Sequence, residues 1–330
     1  MKVDSLSDQK RKYHSNVKGQ HKSVITDKYA GDKAKVLVLH GGMSFERDIS
    51  KISSKGVVEA LVQLGYGVTV VDVGIDIQEF LLKNSNYDVV YNCLHGTYGE
   101  DGCIPSILNS IDLPYTHSGV RASVLGFYKD VTKSMCNELG IITPKAELVD
   151  INNKSTSFQF PYVIKPIAQG SSLGVEVVFS GDDYSIENYD FFYGDVALVE
   201  EYIEGQEIHS AVLDGEVLGI LETRPIKKRF YDYETKYTDG LALHIHDVDI
   251  TEKERSNIFD VSTKIYSFMN CKGIVRFEFI YNSTQDKSYF LEGNTHPGMT
   301  PLSICPEIAQ MVGIDFSELV VRILNSAGVD

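Results

Sequence analysis

The stretch CKGIVRFEFIYNSTQDKSYFLEGNTHPGMTPLSICP, residues 271–306, decides how the rest of the chain is read. It holds two strand-like runs, 273–281 and 288–291, separated by a polar turn at 282–286. The first run alternates. Ile274, Arg276 and Glu278 fall on one face and Val275, Phe277 and Phe279 on the other, because successive side chains of a strand point to opposite sides. The second run ends in Glu292 and Asn294, which also share a face. Paired as neighbours, the two strands bring Glu278, Glu292 and Asn294 onto one sheet face. That is an all-oxygen donor set suited to a hard cation. Magnesium takes one or two carboxylates and fills its shell with water and phosphate oxygens. Arg276 beside it is placed to steady a second anion. The alternative is a solvated face with scattered charge. Against that stands the tail Asn294-Thr295-His296-Pro297-Gly298-Met299-Thr300, whose Pro-Gly turn is suited to bring backbone N–H groups close to a ligand.

The segments upstream alternate strand and helix. Residues 35–39 (KVLVL) form an apolar run, followed by His40-Gly41-Gly42 and an apolar-periodic segment through Leu64. Strands are expected at 68–73 and 89–94, with a short helix at 77–83 between them. This alternation argues for a parallel sheet with crossover helices, whose function collects at the carboxyl ends of the strands. Ser44 and Glu46 lie there, as do His95 and Glu100-Asp101-Gly102. The Gly-Gly pair is not G-x-G-x-x-G, so a dinucleotide site is not indicated.

Residues 119–139 read as one helix carrying Lys129 and Lys133, ended by Gly140. A strand at 161–165 places Lys165 at its end. The Gly/Ser loop 166–174 then leads into a strand at 175–179. Such a hairpin tip lets backbone amides approach an anion; a plain hairpin is the alternative. Residues 196–203 (VALVEEYI) run into a loop. A hairpin is expected at 207–213 and 217–222, around Asp214-Gly215. Residues 229–238 (RFYDYETKYT) are too charged for a core strand and read as a surface loop folding over something. A helix at 251–269 starts with Thr251 and Glu254 in capping-box spacing, and 314–324 is the closing helix.

The totals narrow the class. The chain has 330 residues, enough for two or three domains. Its net charge of −15 argues against a nucleic-acid partner. The five cysteines (Cys93, Cys103, Cys136, Cys271, Cys305) are scattered without a CxxC pair and read as reduced thiols of a cytosolic protein. No apolar run approaches the roughly 18 residues needed to cross a bilayer. Residues 1–33 lack apolar periodicity and are expected to be a disordered extension. The division expected is an extension over 1–33 and three α/β domains, 34–117, 118–200 and 201–330.

Six motifs in order, HGGMSFERDIS, LHGTYGEDG, YVIKPIAQGSSLGV, LVEEYIEGQE, FYDYETKY and LEGNTHPGMTPLS, resemble those of the D-alanine–D-alanine ligases, members of the ATP-grasp superfamily. The likeness runs from Lys35 to the carboxyl terminus. It implies an ATP-grasp fold in which two domains grip ATP between antiparallel sheets, with the amino acids beneath the amino-terminal domain. It implies that Lys129 and Lys165 hold the nucleotide phosphates, with Ser172 beside them. Glu200, Glu201, Tyr202 and Ile203 would meet the adenine, Glu207 the ribose and Lys236 the γ-phosphate. Glu278, Glu292 and Asn294 would ligate two magnesium ions, or manganese. Glu46 would pair with the ammonium of the first D-alanine, near His95. Arg276 and the Gly298 amide would hold an oxyanion, and Ser303 with the Ile304 amide the carboxylate of the second D-alanine. Glu46, Ser171 and Tyr237 would form a hydrogen-bonded bridge latching the loops. The implied partners are ATP and D-alanine, without nucleic acid or membrane. A homodimer in the cytoplasm, serving peptidoglycan precursor synthesis, is the family's habit. Glu278 stands where many members carry Asp, Gln169 where Glu is common, and His296 in a variable slot. The alternative activity is a carboxylate–amine ligase with another amino acid or a D-lactate acceptor; Tyr237 favours an amine nucleophile.

Overall fold

The computed structural model describes residues 21–226, 229, 232–238 and 240–330. The amino-terminal unit begins with β1 (Val24–Tyr29) and β2 (Lys35–Gly41), followed by α1 (Arg47–Gln63), β3 (Gly67–Val73), α2 (Ile77–Lys83), β4 (Val89–Asn92) and α3 (Cys103–Ser110). Its sheet runs in the order β1-β3-β2-β4, with β2 parallel to both β3 and β4. The expected parallel core is therefore present. The strand β1 is the departure: it lies inside the span expected to be disordered and pairs antiparallel with β3. Its side chains are exposed apart from Ile25, which packs against the core, so backbone pairing is its main hold.

Two helices follow where one was expected, α4 (Val120–Phe127) and α5 (Lys129–Glu138). Tyr128 is extended at the junction (φ −90°, ψ 105°), and the Lys129 N–H leaves the helix ladder to donate to Ile167 O at 3.0 Å. The central sheet, order β5-β8-β6-β7, comprises β5 (Ala146–Asp150), β6 (Tyr162–Pro166), β7 (Glu176–Val178) and β8 (Val196–Glu201), and all its pairings are antiparallel. Strands β6 and β7 form the expected hairpin around the Gly/Ser loop.

The last sheet, order β11-β10-β9-β12-β13, is built from β9 (Gln206–Leu213), β10 (Glu216–Pro225), β11 (Ala242–Ile245), β12 (Ile274–Asn282) and β13 (Lys287–Asn294). Asp214 and Gly215 turn β9 into β10 with φ of 49° and 87°, the two left-handed residues that a tight hairpin of right-handed twist requires. The short α6 (Tyr233–Tyr237), capped by Asp232, lies in the segment read as a loop. Helix α7 (Glu252–Met269) packs on this sheet, and α8 (Ile304–Met311) and α9 (Phe316–Asn325) close the chain. Thr251 caps α7 by accepting from the Glu254 N–H at 3.2 Å, but Glu254 does not complete a capping box. Its buried carboxylate accepts instead from Ser288 N–H and the Asn257 amide.

Packing divides the chain differently from the expected boundaries. One apolar core joins β2 and α1 of the first unit to β9, β12, α8 and α9 of the last, through Val36, Val38, Leu61, Leu213, Ile274, Ile308 and Leu319. A second ties Ala122 and Met135 of α4 and α5 to Ile265, Phe277 and Phe290, so these helices belong with the last sheet and not with the central one. The central sheet keeps its own small core around Tyr162, Ile164 and Val199. It walls a cleft from one side.

Candidate active site

Strands β12 and β13 pair with Arg276 opposite Asn294 and Glu278 opposite Glu292. Alternation alone anticipated this juxtaposition. A bulge after Glu278 then shifts the register, so that Phe279 meets Phe290. Glu278 is 3% exposed. Burial would raise its pKa, but Lys236, 3.9 Å away, and Arg276 pull it far below the usual carboxylate range. Arg276 donates to Glu278 Oε1 through Nε at 3.1 Å and Nη2 at 2.5 Å. The Asn294 amide oxygen accepts the His296 N–H at 2.8 Å, which fixes its orientation.

Two clefts meet over this face. The first opens between the central and the last sheets. It has apolar walls, Pro144, Val163, Val177, Ile280 and Leu291, and a polar end with Lys165, Glu207, Lys236 and Glu278. Glu201, Tyr202, Ile203 and Ser172 lie on its rim. Glu200 faces it too, but its carboxylate is 2% exposed and is gripped by Lys133 and Lys165, each at 2.6 Å. Burial opposes that charge; the two lysines outweigh it and hold the Glu200 pKa below its ordinary value. Burial raises Glu207 to about 8 against the pull of Lys236, aided by the charges of Glu278 and Glu292.

The second cleft lies beneath the amino-terminal unit, among Glu46, His95, Ser171, Arg276, Gly298 and Ser303. Lys129, Gln169, Lys236 and Glu292 line both clefts. The break at Tyr128 aims Lys129 at this junction, where Nζ donates to Gln169 O at 2.7 Å and lies 3.0 Å from Glu292. Ile304 is the first residue of α8, and Ser303 Oγ accepts the Thr300 N–H at 2.9 Å. Gly298 sits so close that a Cβ there would stand 2.8 Å from Ser303 Oγ.

Glu46 closes the far wall. Ser171 Oγ, from the Gly/Ser loop, donates to Glu46 Oε1. Oε2 is buried with no hydrogen-bond partner among the described residues. Burial, then the nearby Glu100 charge, raise the Glu46 pKa to about 7, against His95, Ser171 and Lys236. His95 is bonded to Glu100 through Nδ1 at 3.0 Å and to Ser53 through Nε2 at 3.0 Å. Burial lowers its pKa, yet the Glu100 contact and the Glu46 charge prevail and raise it.

With that geometry in view, the comparisons decide the family. A family model described as "D-ala D-ala ligase C-terminus" matches residues 141–325. The D-alanine–D-alanine ligase of Rickettsia canadensis is 48% identical over 321 residues, 96% of this chain and 90% of that protein. The chain belongs to the D-alanine–D-alanine ligase family. A crystal structure of the Bacillus anthracis ligase superposes with a TM-score of 0.77 at 27% identity, covering 89% of this chain and 97% of that one. The same Bacillus enzyme in complex with ATP superposes at a TM-score of 0.74 and 24% identity over 89% and 97%, a likeness of fold. The fold is therefore that of the ATP-grasp ligases.

Every expected site residue whose side chain is described lines one of the two clefts. The Tyr237 side chain lies outside the described residues. The sequence reading named Lys133 and Gln169 without a site role, though Lys133 shares Glu200 with Lys165 and the Gln169 carbonyl holds Lys129, and it missed Gly126 and His209. A Cβ on Gly126 would stand 2.9 Å from Gly293 O, so only glycine lets α4 approach β13 here. His209, on β9 opposite Glu278, is fully buried and bonds Thr223 Oγ1 at 2.9 Å. Glu207, His209 and Glu278 present ligand atoms all within 4.8 Å of one another. A polar residue inside a strand carries no motif, so nothing in the sequence pointed to His209.

Proposed function

We infer that this ligase-family chain joins two molecules of D-alanine at the expense of ATP, releasing ADP, phosphate and D-alanyl-D-alanine for peptidoglycan precursors. One observation carries this: a slot with apolar walls and a polar end opens at Lys129 and Glu292 onto a pocket holding a buried carboxylate oxygen, Glu46 Oε2, that has no hydrogen-bond partner among the described residues. The first takes a planar base and a phosphate chain, and the second takes an ammonium group.

Each residue then has work to do. The apolar walls sandwich the adenine, the backbone of Glu201 to Ile203 meets its edge, and Glu207 bonds the ribose. Lys129, Lys165 and Lys236 neutralise the phosphates, with Ser172 and its loop above them. Glu46 holds the ammonium of the first D-alanine, so that its carboxylate faces the γ-phosphate near Lys236. Attack there transfers the phosphoryl group and gives an acyl phosphate and ADP. Ser303 and the Ile304 N–H, at the positive end of α8, hold the carboxylate of the second D-alanine. Its amine attacks the acyl carbon, Arg276 and the Gly298 N–H stabilise the oxyanion, and phosphate leaves. The acyl phosphate is water-labile, so the bond between Ser171 and Glu46, with Tyr237 expected to join it, keeps the loop closed.

Glu278, Glu292 and Asn294 fit magnesium, since all three offer oxygen and two are carboxylates beside the phosphate-facing lysines. When bound there, two such ions supply charge neutralisation to the transferring phosphoryl group. The same family likeness carries the expectation of a cytoplasmic homodimer.

The test is ADP release with D-alanine, L-amino acids or D-lactate, with mass detection of the product. D-alanine-dependent ADP with dipeptide is the expected result. Stimulation only by an L-amino acid, or ATP binding without ADP formation, overturns it.

A further inference from the structure

The catalytic geometry assigned above leaves one cluster unexplained, at the carboxyl end of β3. Asp72, 5% exposed, accepts from three basic side chains. Arg47 Nη2 lies 2.5 Å from Oδ2, Lys51 Nζ 2.8 Å from Oδ2, and His21 Nε2 3.1 Å from Oδ1. Arg47 immediately follows Glu46 and opens α1. Its other terminal nitrogen, Nη1, donates to Gly42 O at 2.7 Å, across the bend that carries Ser44 and Glu46. Gly41, at φ +73°, allows the approach: a Cβ there would lie 2.3 Å from Asp72 Oδ1.

The third partner comes from the amino-terminal arm. His21 O accepts the Ile75 N–H at 2.9 Å, Ser23 Oγ accepts the Gly74 N–H at 3.0 Å, and the Ser23 N–H donates to Asp76 Oδ1 at 2.6 Å. These bonds pin the start of the arm to the carboxyl end of β3, and β1 runs back along the sheet edge from there. The arm thus reaches the same end of the sheet as the catalytic bend.

We propose that Asp72 and Arg47, braced by His21 of the amino-terminal arm, are positioning residues that set the bend at 42–46 and so aim Glu46 into the amino-acid cleft. A planar guanidinium bonded to both Asp72 and Gly42 O ties that bend to β3 with fixed geometry, which a point charge cannot do. The first helical turn of α1, from which Glu46 hangs, is the element held. A shift of about 1 Å at such a group is enough to cost about a hundredfold in rate.

The proposal rests on Glu46 binding the first D-alanine, and the experiment separates the two ideas. Full-length wild type, Arg47→Lys, Asp72→Asn, His21→Ala and a deletion of residues 1–29 are compared. The readouts are the KM for each D-alanine and for ATP, and hydrogen exchange at the amides of 42–46. Failure of wild type to release ADP with D-alanine sinks the functional assignment itself. With wild type active, Asp72→Asn and Arg47→Lys should raise the KM for the first D-alanine by about tenfold or more. The KM for ATP should stay within about twofold, and exchange at 42–46 should quicken. His21→Ala and the deletion should shift the same KM in the same direction, by less. A fall in stability or turnover with both D-alanine KM values and exchange unchanged overturns the positioning role. If Asp72→Asn does not fold, Arg47→Lys decides it. An arm deletion with wild-type kinetics removes the arm from the device.

Discussion

Lys129 Nζ and Glu292 Oε2 stand 3.0 Å apart, one from the helix that begins after Tyr128 and one from β13, and both residues wall both clefts. The pair therefore sits where the two clefts open onto each other. Lys129→Ala should raise the KM for ATP about tenfold or more, the usual scale for a charge-assisted contact. It should change the KM for the second D-alanine far less, since the proposal gives that carboxylate to Ser303 and the Ile304 N–H. Steady-state kinetics in each substrate checks this.

Arg276 grips Glu278, and the proposed reaction uses it as an oxyanion donor in acyl transfer. Removing one oxyanion donor typically costs about 10²–10³ in rate. Arg276→Ala should lower turnover by at least that much while ATP still binds. Near-normal turnover in a folded Arg276→Ala protein would remove this residue from the chemistry.

Burial holds the Glu46 carboxyl up at about 7, so if it binds the first D-alanine as proposed, capture is pH-dependent. An ammonium needs the carboxylate, so kcat/KM for the first D-alanine should fall about tenfold per pH unit below 7. Stability runs the other way. Because the folded-state pKa lies above its ordinary value, burial favours the neutral acid, and this stabilisation is lost as pH rises through 7. Ligand-free Glu46→Gln should be more stable than wild type at pH 8, by roughly 3 kcal/mol at most. Urea unfolding at pH 4 and pH 8 measures the difference, which should grow as pH rises from 4.5 to 7 and all but vanish below about pH 4.

Ser171, at φ 53° in the Gly/Ser loop, holds that loop to Glu46. Ser171→Ala should lower dipeptide formation about tenfold, the scale of one lost bond to a charged group. It should also raise the phosphate released per dipeptide made, because water reaches the acyl phosphate. A ratio unchanged from wild type would mean that the loop does not exclude water.

Gly298→Ala would place its Cβ 2.8 Å from Ser303 Oγ and force that side chain to rotate away from the Thr300 N–H. The KM for the second D-alanine should rise about tenfold, equivalent to 1.4 kcal/mol, with the KM for ATP unchanged. Product inhibition by the dipeptide should weaken in parallel.

The pairing of Glu278 with Glu292 was legible because strict alternation fixes which residues share a face and a polar turn fixes which strands adjoin. The bulge after Glu278 was not, since no residue type marks it. The arm strand β1 escaped for a related reason: its side chains, in the run VITDKY, bury almost nothing, and periodicity records only buried faces. The break at Tyr128 was hidden because the apolar spacing continues through it, while the Lys129 N–H is claimed by Ile167 O from another segment. His209 and Asp72 are single buried polar groups whose partners lie on other elements. Only the three-dimensional pairing reveals them. The cleft residues stood out because the family's motifs mark them, and the apolar slot walls, spread over β6, β7, β12 and β13, have no such mark.

Because the two clefts share Lys129, Gln169, Lys236 and Glu292 as a common wall, they open onto each other. A compound bearing an adenine-like ring, a tetrahedral phosphorus and a D-configured amino acid would span them as one molecule. It would lose rigid-body freedom only once, so its affinity should exceed that of either fragment by far more than their separate binding suggests. Growth from a fragment bound at either end is the direct route to an inhibitor of this protein.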